Sequence, residues 1–458
     1  MSIDRTTALV RALRREFDGR VIAPDDSGYD EARAVVYGGT ADRRPVAVLR
    51  PANAAQVARV IAVARETGLP LAVRGGGHSN AGHGVCEGLV LDLSAMKGID
   101  IDVEGRTAWA ETGLTCGEYT AAVGAHGLVT GFGDTASVGI GGITLGGGIG
   151  YLVRKHGLTV DDLLAAEIVT ADGAILHVDE DRHPDLFWAI RGGGGNFGVA
   201  TRLRFRLHEL DGVYGGMLVL PATAETVLGF VTEAEDAPEE LSAIANVMPS
   251  PPVPFVPEEH HGRPVIMAMM CYAGPAEEGS RVMDRFRALA PPLADLLGEM
   301  PYAGMCPPED DLHPISDFTN MFIDRVDHDT AATIIHYLNT STATLPAAQL
   351  RVLGGAMARV PADATAFWHR QSRIMVNLAA IYEDPAESPL HRAWVAEFAA
   401  AIRQGDQGAY VNFLADEGDE RVRVAYPGGV YERLAAIKAV HDPGNVFRVN
   451  QNIPPATS

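Results

Sequence analysis

Arg74-Gly75-Gly76-Gly77-His78-Ser79 and Gly139-Ile140-Gly141-Gly142-Ile143-Thr144-Leu145-Gly146-Gly147-Gly148-Ile149-Gly150 are the two stretches that decide the reading of this chain. Glycines at that density mean backbone in van der Waals contact with something, most economically a pyrophosphate cradled by exposed N–H groups. A single imidazole, His78, closes the first run. Beside a ring-bearing cofactor such a group suggests a direct bond, and the two runs together imply a flavin held through His78.

Upstream of the first run the chain reads as a β-α-β unit. A short apolar strand, Val46-Ala47-Val48-Leu49-Arg50-Pro51, precedes a helix opening at Asn53, and Pro70-Leu71-Ala72-Val73 forms a second strand. Val57, Val60, Ile61 and Ala64 recur at three- and four-residue spacing and define the buried helix face. The glycines follow the second strand rather than the first, so the dinucleotide fingerprint of a Rossmann unit does not apply in its usual place.

Downstream, strands are expected at 89–93, 107–111 and 166–170, with Ala171-Asp172-Gly173 turning the chain into 175–178. A third glycine cluster, Gly192-Gly193-Gly194-Gly195-Asn196-Phe197-Gly198, follows the apolar run Asp185 to Arg191. Three glycine-rich approaches point to one extended ligand gripped at several positions. After Arg206 the glycines thin and prolines gather between Pro249 and Pro257. Apolar strand-like runs at 264–272 and 350–360 alternate with helical stretches at 278–289 and 390–403, as in an α+β substrate domain. The expected division is 1–209 and 406–458 for the cofactor-binding part, with 210–405 inserted between them. The tail, including a helix near 431–439 and Asp442-Pro443-Gly444-Asn445-Val446-Phe447-Arg448, returns to the first part and places Tyr410 at the seam.

Composition sets the outer bounds. At 458 residues the chain suits two domains, or one interrupted by another. With 37 basic against 59 acidic residues, the net charge of -22 repels nucleic-acid phosphates and anionic lipid alike, and disfavours polyanionic substrates. Residues 1–20 mix charges through Arg11, Arg14, Arg15, Glu16 and Asp18, without the apolar core of a signal peptide, and no run reaches the length of a membrane span. Cys86, Cys116, Cys271 and Cys306 lack metal or CxxC spacing and argue against a disulfide framework. A cytoplasmic protein, monomeric or homodimeric, is the default expectation. His260-His261 reads as an exposed loop rather than a metal site, and Met267, Met269 and Met270 read as core filling.

These residues resemble the FAD-linked oxidases of the vanillyl-alcohol oxidase superfamily, with its PCMH-type FAD-binding domain, and in particular the berberine bridge enzyme-like branch. Arg74 to Ser79 resembles the histidyl-flavin loop, and Gly139 to Gly150 with Tyr151-Leu152-Val153-Arg154-Lys155-His156-Gly157-Leu158 resembles the pyrophosphate loop. Phe187-Trp188-Ala189-Ile190-Arg191-Gly192-Gly193 through Asn196-Phe197-Gly198 resembles a third contact, and Tyr410-Val411-Asn412-Phe413 with Asp442-Pro443 and Phe447 resembles the C-terminal signature. The implied fold is α+β: a two-subdomain FAD-binding domain interrupted by an α+β substrate domain with an antiparallel sheet.

The implied cofactor is FAD, bonded through its 8α-methyl to His78. Arg74, Gly75, Gly76, Gly77, Ser79, His83, Thr135, Val138, Gly139, Gly141, Gly142, Gly146, Gly148, Asn196, Phe197, Gly198, Val199, Tyr410 and Asn412 complete the expected cofactor contacts. Relatives with a second tether carry a cysteine where this chain has Thr135, so one covalent link is expected. Val138, in a Val-Gly pair associated with oxidases, implies O2 as acceptor and hydrogen peroxide as product.

Removing hydride from an alcohol requires a base for the hydroxyl proton, and Tyr410 is the candidate. A phenol of ordinary pKa about 10 needs positive charge or hydrogen bonds to act near neutrality. The second tyrosine common in the family is replaced here by Leu353, before Gly354-Gly355, which leaves Arg351 as the candidate source of positive field. The alternatives are a loop-bound His78, with His83 as the rival tether, a Tyr410 that only anchors the seam, and an Arg351 that serves structure or solvation. The expected activity is oxidation of a small hydroxylated substrate: a sugar, an alcohol or a secondary-metabolite intermediate. Oxidative cyclisation, oxygen transfer and a non-catalytic flavin-binding scaffold are the rival readings.

Overall fold

The computed structural model describes residues 3–17, 20–37, 42–306 and 313–457. The β-α-β unit forms as its sequence dictates. Helix Ala54–Thr67 starts where the Asn53 side chain accepts the Gln56 N–H and stops at Gly68, whose φ of 69° is the left-handed conformation that ends helices. Its buried face is Val57, Val60, Ile61, Val63 and Ala64. The two flanking strands, Ala47–Leu49 and Leu71–Arg74, are not neighbours: Leu89–Asp92 lies between them, parallel to both, and Val21–Ile22 adds an antiparallel edge.

A second, five-stranded antiparallel sheet has the order Ile99–Asp102, Thr107–Glu111, Val199–Arg206, Leu163–Val169 and Ile175–Val178. Between Thr107–Glu111 and Leu163–Val169 the chain leaves this sheet to make the second glycine run, which winds into the short helix Ile140–Leu145. The third glycine cluster lies just before Val199–Arg206. All three clusters therefore occupy strand ends or inter-strand loops, where backbone is free to approach a ligand.

Residues 213–382 supply a seven-stranded antiparallel sheet in the order Ala294–Met300, Val213–Pro221, Pro264–Tyr272, Leu241–Pro249, Leu345–Val352, Ile374–Tyr382 and Ile315–Ile323. Alternation along the strands separates its faces. Ala245, Val247, Leu350, Val352, Val376 and Leu378 pack against helices Ala224–Asp236, His328–Thr340 and Ser388–Ile402. Asn246, Gln349, Arg351 and Asn377 belong to the other face and line a cleft. The strand expected at 350–360 ends early: it stops at Val352, and Gly354 and Gly355, at φ 107° and 56°, turn the chain into Ala356–Arg359.

The tail returns to the first sheets as expected. Helix Val430–His441 packs on Pro184–Ile190. The backbone N–H of Ile453 then donates to Asn196 Oδ1 at 2.9 Å.

Candidate active site

The three glycine clusters, one face of the seven-stranded sheet and the segments 410–414 and 447–451 enclose a cleft of about 530 Å³. That size and its convergence of polar groups on an apolar wall are those of a small-molecule site. Its glycines do two different jobs. Gly76 and Gly139 pack on each other: a Cβ on Gly76 would lie 2.3 Å from Gly139 N, and one on Gly139 would lie 2.4 Å from Gly76 N. Gly142 and Gly195 have nothing within 4 Å of such an atom, and both line the cleft. The cradle is thus built by loop-to-loop contact and presents bare backbone at its mouth, which fits the pyrophosphate of a dinucleotide.

Gly146, Gly148 and Phe197, three of the expected contacts, do not line the cleft. A Cβ on Gly146 would meet Asn412 Oδ1 at 1.9 Å, one on Gly148 would meet Thr159 Oγ1 at 1.9 Å, and Phe197 is fully buried in the core. Their tightness serves the packing behind the wall. Arg74, Gly75, Gly76, Gly77, Ser79, Thr135, Val138, Gly139, Gly141, Gly142, Asn196, Gly198, Val199 and Asn412 all line it. Arg74 does so with its guanidinium turned away, donating to Asp92 Oδ2 at 2.9 Å and to Ala34 O at 3.0 Å.

His78 and His83 both line the cleft. The two ring nitrogens of His78 are fixed, Nδ1 at 2.9 Å from Gly76 O and Nε2 at 2.9 Å from Ser137 Oγ. His83 has its pKa pushed down to about 4 by burial, with Arg43 adding to the effect, so it is neutral at pH 7. Ser137, which orients His78, was not singled out by the sequence reading; its place in the loop before Val138 was the only available signal.

Tyr410 is 2% exposed. Its hydroxyl oxygen accepts from Asn412 Nδ2 at 2.8 Å, Gly148 N at 3.0 Å and Ile149 N at 3.4 Å. These donors and the Arg351 charge favour the phenolate, but burial outweighs them and the pKa lies above its usual value. The expected net lowering is therefore not what the structure gives. What it gives is an oxygen enclosed by N–H donors, ready to stabilise negative charge as it develops.

Arg351 is 3% exposed and faces inward, not to solvent. It donates from Nη2 to Asp134 Oδ2 at 2.6 Å and from Nε to Gln349 Oε1 at 2.9 Å, and its guanidinium carbon sits 5.1 Å from the Phe413 ring centroid. Leu353, at the position expected for a second tyrosine, is buried with Tyr410, Phe367 and Met375 in an apolar cluster.

A buried lysine missed by the sequence reading lies behind the third glycine cluster. Lys438 Nζ donates to Phe447 O at 2.7 Å, Asn452 Oδ1 at 3.1 Å and Asn196 Oδ1 at 3.3 Å, with Asp442 Oδ2 at 3.6 Å. Asn196 is in turn committed, through Nδ2, to Gly193 O and Gln451 O. Its side chain therefore locks the tail onto the third glycine cluster.

Comparison with known proteins agrees with this architecture. Residues 45–179 match the family described as FAD binding domain, and residues 409–454 match berberine and berberine like. The chain is 30% identical over 455 residues to (R)-6-hydroxynicotine oxidase of Paenarthrobacter nicotinovorans, covering 96% of this chain and 97% of that one. It is 32% identical over 461 residues to an uncharacterized FAD-linked oxidoreductase of Bacillus subtilis, with 96% and 99% covered. The crystal structure of 6-hydroxy-D-nicotine oxidase from Arthrobacter nicotinovorans superposes with a TM-score of 0.83 at 28% identity, over 95% of this chain and 98% of that chain. Xylooligosaccharide oxidase from Myceliophthora thermophila, at 21% identity and a TM-score of 0.83 over 98% and 100% of the two chains, shares the fold. The chain belongs to the berberine bridge enzyme-like FAD-linked oxidoreductases. It is an FAD-dependent oxidoreductase, and none of its described helices is long and apolar enough to cross a membrane.

Proposed function

We propose that this protein is an oxidase that takes hydride from a small hydroxylated substrate and passes the electrons to O2, releasing hydrogen peroxide, with its FAD bonded to His78. The observation that carries the reading is the meeting of His78, Val138 and Tyr410 on one cleft with the three glycine clusters. In this reading residues 1–209 and 406–458 hold the cofactor and 210–405 the substrate.

FAD, when bound, supplies a two-electron acceptor. The rest of the chemistry belongs to the chain. Gly142 and Gly195 leave room at the cleft for the pyrophosphate, and His78, oriented by Ser137 and Gly76 O, is the tether. Thr135, at the position of a second tether, offers no thiol. Tyr410 receives the substrate hydroxyl proton, its oxygen held by Asn412, Gly148 and Ile149. Arg351, linked to Asp134, sets the local positive field. Val138, which lines the cleft, is the residue assigned to the O2 approach.

Acid precipitation of the purified protein tests the tether. Flavin retained in the washed pellet, with an intact mass raised by one FAD, supports it; flavin in the supernatant removes His78 as the attachment. Peroxide release on substrate oxidation tests the acceptor, and slow reoxidation of dithionite-reduced protein in air would point to a dehydrogenase or a scaffold.

A further inference from the structure

Four carboxamides stand in one rank across the seven-stranded sheet. Asn246 pairs with Gln349, Gln349 with Asn377, and Asn377 with Asn320, on four successive strands and one face. The first three line the cleft. With neighbouring strands about 5 Å apart, the rank repeats polar groups at the scale of substituents on a six-membered ring.

The rank is wired in one direction. Arg351 Nε donates to Gln349 Oε1 at 2.9 Å, Gln349 Nε2 donates to Asn246 Oδ1 at 2.8 Å, and Asn246 Nδ2 donates to Met267 O at 3.1 Å. Each of these amides keeps one N–H and one lone pair beyond this chain of bonds. On the fourth strand, Asn320 Oδ1 accepts the Tyr410 N–H at 2.7 Å, which ties the rank to the candidate base. Asn377 Oδ1 and, on the paired strand, Asn320 Nδ2 are both buried with no hydrogen-bond partner among the described residues. A buried amide left unpaired is destabilising, and a turn of the Asn377 side chain, which lines the cleft, would bring its amide to a ligand's polar group.

Charge in the cleft is balanced. Arg351 faces Asp134 at 2.6 Å, Arg74 faces Asp92 at 2.9 Å and His83 is neutral, so the ion pairs leave no uncompensated carboxylate or cation beside the rank among the described residues. Phe318, two positions along its strand from Asn320, adds an aromatic wall braced edge-on by Tyr37 at 5.1 Å.

We propose that this carboxamide rank selects a neutral ring substrate bearing two or more oxygen functions, one edge hydrogen-bonded to Gln349 and Asn377 and one face against Phe318, and excludes amines and carboxylates. With Arg351 and Asp134 spent on each other, neither an ammonium nor a carboxylate finds a free counter-charge, whereas hydroxyls both donate and accept. The proposal rests on the reading of the cleft as a flavin and substrate site.

Two series matched in shape and differing in charge test it by calorimetric binding to the purified protein: glucose, glucosamine and glucuronate, and 4-hydroxybenzyl alcohol, 4-hydroxybenzylamine and 4-hydroxybenzoate. The neutral member is expected to bind about tenfold tighter than both charged members in at least one series. A charged member binding as tightly as the neutral one in both series, or no neutral binding in either, overturns the proposal. Asn377→Leu should lower neutral affinity about tenfold, and Gln349→Glu should move the preference toward the amine; unchanged selectivity in both folded variants also overturns it. The wild-type series decides even where a variant fails to fold. Failure here, in a protein whose flavin is reduced by dithionite and reoxidised by air, leaves the oxidase reading intact; absence of flavin removes that reading while the binding order still decides this one.

Discussion

Arg351 reaches from the seven-stranded sheet to Asp134, in the loop ahead of Val138, and the two meet at 2.6 Å. The pair joins the sheet to the cofactor side of the cleft and sets the field felt by Tyr410, whose pKa burial raises and Arg351 opposes. Removing the Asp134 charge leaves Arg351 uncompensated and favours the phenolate. Asp134→Asn should therefore shift the alkaline rise in kcat/KM by about one unit toward lower pH, and Arg351→Gln should shift it the other way. A pH profile unmoved in both variants would detach the pair from the base.

Tyr410→Phe keeps the ring packing with Phe367 and Phe413 and removes only the oxygen. Turnover should fall about 10²- to 10⁴-fold with flavin content unchanged. Rapid anaerobic mixing, following flavin bleaching by substrate, measures that step directly. Full-rate bleaching would leave Tyr410 as a packing residue.

His78→Ala should turn the flavin from acid-stable to extractable. Because the Gly76–Gly139 contact is untouched, the variant should still fold and bind FAD reversibly, which thermal unfolding with and without added FAD checks. Flavin that stays with the denatured variant would move the tether to another residue, with His83 the first to examine.

Val138 lines the cleft in a closely packed wall, so Val138→Leu adds bulk where O2 would approach. Reoxidation of the reduced enzyme by air should slow about tenfold while reduction by substrate is little changed. Stopped-flow reoxidation at several O2 concentrations distinguishes the two.

Lys438→Met leaves the acceptors Asn196 Oδ1, Phe447 O and Asn452 Oδ1 without their shared donor. A loss of about 3 kcal/mol is expected in denaturant unfolding at pH 7. Burial lowers the Lys438 pKa to about 8 from 10.5, so between those values the unfolded chain holds more protons than the folded one. Wild-type stability gains a component that rises with pH across that window, and the variant should lack it.

Much of the frame was legible in the sequence because short-range rules fixed it. Asn53 caps the start of helix Ala54–Thr67, the 264–272 strand is present as Pro264–Tyr272, and the tail does return to the glycine clusters. The glycines were harder to interpret. Density alone cannot separate Gly76, which packs on Gly139, from Gly142, which opens onto the cleft, since that depends on which loop lies opposite. The strands carrying Asn246, Gln349 and Asn377 are half-polar on one face, so their function emerges only from cross-strand register. Lys438 reads as an ordinary surface cation until tertiary contacts bury it, and whether Arg351 faces the cleft or solvent is settled only by the sheet.

The contact between Ile453 and Asn196 spans 257 positions of sequence. A cleft begun at Arg74 and finished by that bond cannot exist on a nascent chain still being synthesised through residue 400. Contacts of such separation form late and slowly, after the entropy of closing a long loop has been met. A fragment limited to residues 45–179 would hold two of the three glycine clusters without the cavity they line.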